Sequence, residues 1–208
     1  MNYKYKPMIY FLKRFSILKL LLILSCENKK QVEEFTDRFE EKAGEALTYC
    51  KANNLNTNYA ILIDFALPCG KNRLVLWDFK NNKKEIFALC THGSCGAMGV
   101  PYTDKEAVFS NLPESHCSSE GKMKIGERSY SKWGINIHYK LRGLEPQNSN
   151  VYKRVIVLHS WEAVPDQEIY PRTLAKSWGC PAVSNNVMRR LDKILQKEKT
   201  PMLMWIFK

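Results

Sequence analysis

Several common features are missing from this 208-residue sequence, and each absence narrows what the chain can be. It has no internal repeat and no low-complexity segment, which argues against a repeat protein or a disordered tail. It also lacks an uninterrupted apolar run of about 20 residues, the length that a membrane-spanning helix needs. The apolar fraction of 45% and the charged fraction of 25% suit one globular domain with a short appendage.

The formal net charge of the chain is +11, but nearly half of it lies in the amino-terminal segment. The first 25 residues hold five basic and no acidic residues, and the other 27 basic and 21 acidic residues give a charge of only +6. No basic run is interleaved with aromatic residues, so we expect no nucleic acid as a partner. An anionic polymer or an anionic membrane surface is compatible with this charge.

The amino terminus predicts an export signal. A basic stretch precedes residues 17–24, an apolar region interrupted by Lys19 that is too short to span a bilayer and is typical of a signal peptide. The stretch ends at Ile23-Leu24-Ser25-Cys26, which resembles a bacterial lipobox, although Leu24 is larger than the residue common there. That resemblance implies that Cys26 carries the lipid and begins the mature chain. An uncleaved membrane anchor is the alternative, and either would export the rest of the chain.

The chain therefore divides into three predicted parts. Residues 1–25 form a lipoprotein signal peptide, residues 26–57 form a polar tether with a first helix, and residues 58–208 form the folded domain. Because Glu27 and not Asp follows Cys26, no retention signal is evident. We expect a lipoprotein on the periplasmic face of the outer membrane.

Six cysteines remain after the lipobox, and an even number in an exported protein suggests disulfides. Their spacing is irregular, so the pattern leaves their redox state open. Cys90, Cys95, His116 and Cys117 have the residue types of a zinc site, but no second paired-cysteine motif accompanies them. We favour buried, inert thiols for most of these cysteines and expect no metal.

From Tyr59 onward, apolar segments of strand length alternate with Pro, Gly and Asn, which predicts a mostly β (α+β) fold. Asn81-Asn82 separates two such segments and favours a hairpin. Residues 187–199 have apolar positions at helical spacing, with Ser184 or Asn185 as the cap. The predicted strands are 59–65, 73–78, 84–90, 122–128, 133–141, 154–158 and 202–207.

One cysteine stands in a setting that favours chemistry. Cys180 follows Gly179 directly before a segment of helical pattern, where a helix dipole would favour the thiolate. The backbone N–H groups of a tight turn there could stabilise an oxyanion. A nucleophilic thiol also needs a base, and His159 lies 21 residues upstream at the end of a predicted strand. The spacing alone is only suggestive, and a buried structural cysteine is the alternative.

His159-Ser160, sixteen further residues and then Ser177-Trp178-Gly179-Cys180 resemble the active-site signature of the L,D-transpeptidases. The commoner branch has His in place of Trp178, whereas Trp followed by Cys-Pro-Ala is usual in the murein L,D-transpeptidase catalytic domain family. The resemblance extends over about residues 58–207. It includes the segments 63–68, 73–75, 91–94, 109–111, 118–121 and 143–159.

The resemblance implies a fold and a reaction. The fold would be a β-sandwich around the cysteine loop, with a small helical cap and a C-terminal helix and strand. Cys180 would attack the carbonyl of the third residue in a peptidoglycan tetrapeptide stem and release D-Ala. An amine or water would then take the acyl group, and no cofactor would be needed. His159 would be the base, the Ser160 carbonyl would fix its tautomer, and the N–H groups of Gly179 and Cys180 would bind the oxyanion.

Further roles follow from the same resemblance. Ser177 would shape the loop, while Trp178 and His92 would contact the substrate, with a core aromatic and a structural loop histidine as the respective alternatives. Arg154 or Arg172 could bind a stem carboxylate. We expect a monomer whose partners are peptidoglycan stem peptides and a membrane.

Two other functions stay open. A papain-like thiol peptidase of the cell wall would also use Cys and His, but its cysteine would precede its histidine. A catalytically inactive, lipid-anchored peptidoglycan-binding protein would have lost one of the two, and Cys180 and His159 are both present.

Overall fold

The computed structural model describes residues 38–96 and 106–208. The predicted signal peptide and the lipidation site at Cys26 lie outside these residues, so they stay predictions, as do the three domain boundaries. Residue 42 begins a compact unit that continues to Lys208, and of the chain before it only residues 38–41 are described. Among the helices in the described ranges, none has the length and apolar character to cross a membrane.

The fold is mostly β, which confirms the predicted class. Within the described residues the chain forms eight strands, two α-helices and a short 3-10 helix, Pro146–Asn148. Helix α1 covers residues 38–52, and helix α2 covers Asn185–Leu195. The strands are β1 (Tyr59–Asp64), β2 (Leu74–Asp78), β3 (Lys83–Ala88), β4 (Gly121–Tyr130), β5 (Ile137–Gly143), β6 (Val157–Ser160), β7 (Ala182–Val183) and β8 (Leu203–Phe207).

All eight strands belong to one sheet, in the order β3-β2-β1-β8-β4-β5-β6-β7. The predicted hairpin of β2 and β3 is present as an antiparallel pair. Two pairs are parallel, β1 with β8 and β6 with β7, and the other pairs are antiparallel. The β6–β7 pair brings the segment before α2 beside the strand that ends at Ser160.

The segment that follows β3, at one end of the strand order, is hydrogen-bonded to the segment around β7, at the other end. The Thr91 N–H donates to the Ala182 carbonyl at 2.9 Å, and the Ser177 N–H donates to the His92 carbonyl at 3.0 Å. The Ser94 N–H donates in turn to the Ser177 carbonyl at 2.8 Å. We call this pairing of residues 91–94 with residues 177–182 the seam. It makes the sheet a near-barrel and places Cys180 within its hydrogen-bonded part.

The core lies inside the near-barrel, where alternate residues of all eight strands pack together with one face of α2. Such alternation follows from the two-residue period of a strand, which sends successive side chains to opposite faces. One continuous sheet thus encloses the core that a sandwich would place between two sheets. Core residues include Ile61, Leu74, Ile86, Met123, Leu141, Leu158, Val183, Leu191 and Met204.

Three of the differences from the predicted elements have clear local reasons. Strand β5 begins at Ile137, later than predicted, because Gly134 and Asn136 have φ values of +60° and +62° and form a turn. Helix α2 begins after Ser184, whose hydroxyl accepts the Val187 N–H at 3.2 Å, and it ends at Leu195. Strand β7 has only two residues and was not predicted, since two residues carry no periodic pattern.

Candidate active site

Cys180 and His159 line one cleft of about 530 Å³. The parallel register of β6 and β7 sets His159 opposite Ala182, and the His159 N–H donates to the Pro181 carbonyl at 3.4 Å. The pairing of β6 with β7 therefore brings together two residues that the sequence separates by 21 positions. The other lining residues are Glu114, His116, Trp133, Arg154, Val155, Ile156, Trp161, Lys176, Ser177 and Trp178.

The thiol of Cys180 is partly buried and contacts the chain that leads into β6. Its sulfur accepts the Val157 N–H at 3.4 Å and lies 3.8 Å from the Val155 carbonyl oxygen. Burial raises the pKa of Cys180, while the Val157 hydrogen bond and the charge of Arg154 act in the opposite direction. At neutral pH the resting residue is a thiol, so its use as a nucleophile requires a base.

The predicted helix dipole does not act on this thiol, and that part of the sequence argument is wrong. Helix α2 begins at Asn185, after β7 has intervened, and Ser184 caps its first turn. The field of a helix terminus falls off within about one turn. The Val157 N–H and the charge of Arg154 lower the pKa of the thiol in place of the helix dipole.

His159 is held in the tautomer that a general base needs. Its side chain is 8% exposed, and its Nδ1 lies 2.9 Å from the Ser160 carbonyl oxygen. A carbonyl oxygen only accepts, so Nδ1 carries the hydrogen and Nε2 keeps its lone pair. Burial lowers the pKa of His159 below its usual 6.5, and the bond to Ser160 partly opposes that shift. The imidazole is therefore neutral at pH 7, with Nε2 available to take a proton.

Ser177 shapes the turn before the cysteine. Its hydroxyl donates to the Cys180 carbonyl at 2.6 Å and accepts the Gly179 N–H at 3.2 Å. Gly179 has a φ of +106°, and a Cβ there would lie 2.6 Å from the Cys117 carbonyl oxygen, so a side chain is excluded on both counts.

This turn changes the prediction for the oxyanion donors. The Gly179 N–H already donates to Ser177, so it is not free to bind an oxyanion. The Cys180 N–H has no hydrogen-bond partner in the parts of the chain that the structure describes. Of the two predicted N–H donors, only that of Cys180 is open.

The two predicted substrate contacts lie in different places. Trp178 is 73% exposed at the cleft, with its ring stacked on that of His116 at 4.7 Å between centroids, so it is not a core aromatic. His92 is fully buried, and its Nδ1 lies 2.8 Å from Nη2 of Arg73. Burial and the charge of Arg73 lower the pKa of His92 to about 3. The prediction that the His92 side chain contacts substrate is wrong, because it lies in the interior and not in the cleft.

The two arginines weighed as carboxylate ligands also differ. Arg172 is exposed and lines a separate cavity, away from Cys180. Arg154 lines the catalytic cleft, but its guanidinium already donates to neutral groups of the loop before β4. These bonds go to the Ser110 carbonyl at 2.6 Å, Ser119 Oγ at 2.7 Å, Ser115 Oγ at 3.1 Å and the Cys117 carbonyl at 2.7 Å.

The zinc alternative is wrong. Cys95 and Cys117 form a disulfide, which removes two of the four proposed ligands. Cys90 is fully buried, and burial raises the pKa of its thiol to about 12. Nowhere in residues 38–96 and 106–208 do three or more potential metal ligands come together.

Sequence reasoning missed several residues of the site. Thr91 supports the nucleophile, since its hydroxyl donates to the Cys180 carbonyl at 3.1 Å and accepts the Ala182 N–H at 3.0 Å. Trp133 and Trp161 line the cleft as an edge-to-face pair with centroids 6.1 Å apart. Trp161 follows the His-Ser pair directly and could have been suspected, whereas Thr91 and Trp133 carry no local signal.

The burial of the other thiols predicts selective chemistry. We expect iodoacetamide to modify Cys180 in the folded protein, because Cys50, Cys69 and Cys90 are free but buried. Peptide mapping by mass spectrometry measures each site separately, and urea-unfolded protein is the control in which all four thiols react. Modification of a buried cysteine as fast as that of Cys180 would contradict the structure.

Residues 31–205 match the family model of the L,D-transpeptidase catalytic domain. Among solved structures, Bd1075 of Bdellovibrio bacteriovorus is 18% identical over 74% of this chain and 49% of its own, with a TM-score of 0.45. The L,D-transpeptidase of Xylanimonas cellulosilytica is 12% identical over 72% of this chain and 60% of its own, with a TM-score of 0.39. The helical cell shape determining protein Pgp2 of Campylobacter jejuni is 9% identical over 72% and 47%, with a TM-score of 0.47.

This chain thus spans between 47% and 60% of the length of these solved structures. A search of the curated proteins finds no significant match. The family model covers most of the 208 residues, including the seam, Cys180 and His159. The chain therefore belongs to the L,D-transpeptidase catalytic domain family.

Proposed function

We propose that this chain is a cysteine-dependent L,D-transpeptidase of the cell wall. Its substrate is the tetrapeptide stem of peptidoglycan, cleaved at the carbonyl of the third residue with release of D-Ala. The acyl group then passes to the amine of a second stem, giving a 3→3 cross-link, or to water. The observation that carries this proposal is that Cys180 and His159 line the same cleft, with His159 Nδ1 bonded to the Ser160 carbonyl.

The chemistry starts with a proton transfer. Nε2 of His159 takes the proton of the Cys180 thiol as the sulfur attacks the carbonyl carbon. Because the pKa of the thiol is raised and that of the imidazole is lowered, the resting pair is neutral and ionises only as attack proceeds. The Cys180 N–H is the available donor to the tetrahedral oxyanion. The imidazolium then returns the proton to the amine of the departing D-Ala, which leaves the thioester.

The cleft supports a peptide substrate. Its volume of about 530 Å³ lies within the range of small-molecule sites, roughly 300–1,000 Å³. Two aromatic pairs, Trp133 with Trp161 and His116 with Trp178, supply apolar surface for the stem. The proposal includes both acceptors, so transpeptidation and L,D-carboxypeptidation are both part of it.

We further propose that the chain is exported and held by a lipid on Cys26 at the periplasmic face of the outer membrane. The basic amino terminus, the short apolar stretch and the lipobox-like sequence support this location. Peptidoglycan would then lie within reach of the tethered domain.

The test uses the full chain in detergent, incubated with a disaccharide-tetrapeptide and analysed by mass spectrometry. We expect tripeptide stems that have lost D-Ala, or 3→3 dimers, with the wild type and none with Cys180→Ala. Cys50→Ala is the matched control, since Cys50 is a free thiol that does not line the cleft, and it should keep full activity. Equal product with Cys180→Ala would contradict the proposal. The absence of both product and a carbapenem adduct on Cys180 would favour an inactive peptidoglycan-binding protein.

A further inference from the structure

Arg154 brings a positive charge to the cleft without a paired carboxylate. Its side chain is partly buried, and it forms no ion pair with any residue that the structure describes. Glu114 lines the same cleft, but its side chain is exposed and water screens its charge. Partial burial of a cation without a paired carboxylate costs free energy, which suggests that the charge has a function.

The hydrogen bonds of Arg154 satisfy its donors but leave its charge intact. All four terminal N–H groups go to neutral carbonyl or hydroxyl oxygens between Ser110 and Ser119, at 2.6–3.1 Å. The guanidinium is therefore fixed in position and has no terminal donors left for a substrate carboxylate. Val155, the next residue, places its carbonyl 3.8 Å from the sulfur of Cys180.

Arg154 is the charged group of the described residues whose charge acts on the Cys180 thiol, and the other groups lining the cleft are engaged elsewhere or oppose a negative sulfur. His159 of β6 is neutral because burial lowers its pKa. Lys176, on the cysteine's own segment, directs its ammonium to Cys69 Sγ at 3.2 Å and the Leu174 carbonyl at 3.0 Å. From the loop before β4, Glu114 opposes a negative sulfur, and His116 stacks on Trp178.

We propose that Arg154 is the counter-cation of the Cys180 thiolate, a positioning residue that acts through its charge and makes no bond to the substrate. The proposal rests on the proposed role of Cys180 as nucleophile. As the thiol loses its proton to His159, the developing negative charge on sulfur meets a cation that is already in place. No reorganisation is then needed during the reaction, which is the advantage of a preorganised site.

The test measures the rate at which iodoacetamide alkylates Cys180 in the full chain as a function of pH. This uncharged probe reacts with the thiolate, so the midpoint of the profile reports ionisation of Cys180 without any substrate. Loss of a nearby opposite charge shifts a midpoint by roughly 1–3 pH units, so Arg154→Gln should raise it by at least about one unit. At pH 7 this corresponds to alkylation about tenfold slower or more.

Two further variants separate charge from structure. Ser119→Ala removes one of the four bonds but keeps the guanidinium, so its midpoint should equal that of the wild type. Arg154→Lys loses the planar guanidinium with its paired donors but keeps a positive charge. The midpoint of its alkylation profile should therefore lie nearer to that of the wild type than to that of Arg154→Gln. Thermal unfolding of each variant shows whether the domain is folded.

A profile of Arg154→Gln that superimposes on the wild type would overturn the proposal, and so would an equal shift in Ser119→Ala. An increase in KM for the stem without any change in alkylation would assign Arg154 to substrate binding instead. If Arg154→Gln does not fold, Arg154→Lys decides, because a midpoint one unit or more above the wild type would show that charge is not the cause. Product formation by the wild type tests the proposed function independently of these profiles.

Discussion

We expect replacement of His159 by Ala to lower kcat/KM for the tetrapeptide stem by about 10²–10⁴-fold, the usual contribution of a positioned general base. The loss follows because the thiol of Cys180, with its raised pKa, then lacks the imidazole that takes its proton. The measurement is release of D-Ala under single-turnover and steady-state conditions. His138→Gln is the matched control, since His138 pairs with His159 in the register of β5 and β6 but does not line the cleft. An equal loss in His138→Gln would contradict the assignment of His159.

The pH dependence of kcat/KM is a second test of His159, and the direction of the change can be predicted. Only the neutral imidazole can accept the proton, so kcat/KM rises as pH increases through the pKa of His159. Burial lowers that pKa, so the neutral form persists to more acidic solution than for an ordinary histidine. We expect the midpoint of the acid limb to lie below pH 6.5 in the wild type and the limb to be absent in His159→Ala. A midpoint above 6.5 would show that His159 is paired as an imidazolium.

Replacing Arg73 by Leu destabilises the folded domain by about 3–5 kcal/mol, because it leaves several buried acceptors without a donor. Arg73 is completely buried, yet it stays charged at neutral pH, since burial lowers its pKa only to about 10. Its guanidinium donates to the Cys90 carbonyl at 2.8 and 2.9 Å, to the Leu67 carbonyl at 3.2 Å and to His92 Nδ1 at 2.8 Å. The change is measured by urea unfolding.

Arg142→Leu is the control for this prediction. Arg142 bonds to Glu127 at 2.9 Å on the surface, where solvent screens the pair, so its loss should barely move the urea midpoint. Activity should fall with Arg73→Leu at temperatures where the domain still folds, because Cys90 leads directly into the seam. Equal midpoints for the two variants would show that the buried guanidinium does not support the fold.

Local pattern was enough to predict most of the strands and helix α2 but not their arrangement. Apolar segments bounded by Asn, Gly and Pro predicted β1 to β3 to within two residues, and Ser184 marked the start of α2. The insertion of β8 between β1 and β4 has no such signal, because it depends on pairing between residues 79 to 143 positions apart. The seam was missed for the same reason.

In the functional site, too, the sequence predicted the residues but not the contacts that depend on the fold. The resemblance carried by His159, Ser160 and the cysteine turn identified His159 and Cys180, which the structure brings together in one cleft. The sequence could not show that the Gly179 N–H donates to the Ser177 hydroxyl, since that hydrogen bond depends on the conformation of the turn. It also placed His92 in the cleft because a Gly/Ser-rich neighbourhood looks like an exposed loop, whereas Arg73 anchors that side chain in the interior.

The seam also bears on which edges of the sheet are exposed to other molecules. A sheet of eight strands ordinarily leaves two edges whose backbone groups can pair with another molecule and start aggregation. Here the chain beyond β3 pairs with the segment entering β7, so the β7 edge is occupied within the same molecule. The other edge strand, β3, begins with Lys83 and Lys84, and a second strand would have to approach these charges. The pairing that places the nucleophile therefore also protects the sheet, so mutations that open it threaten solubility along with catalysis.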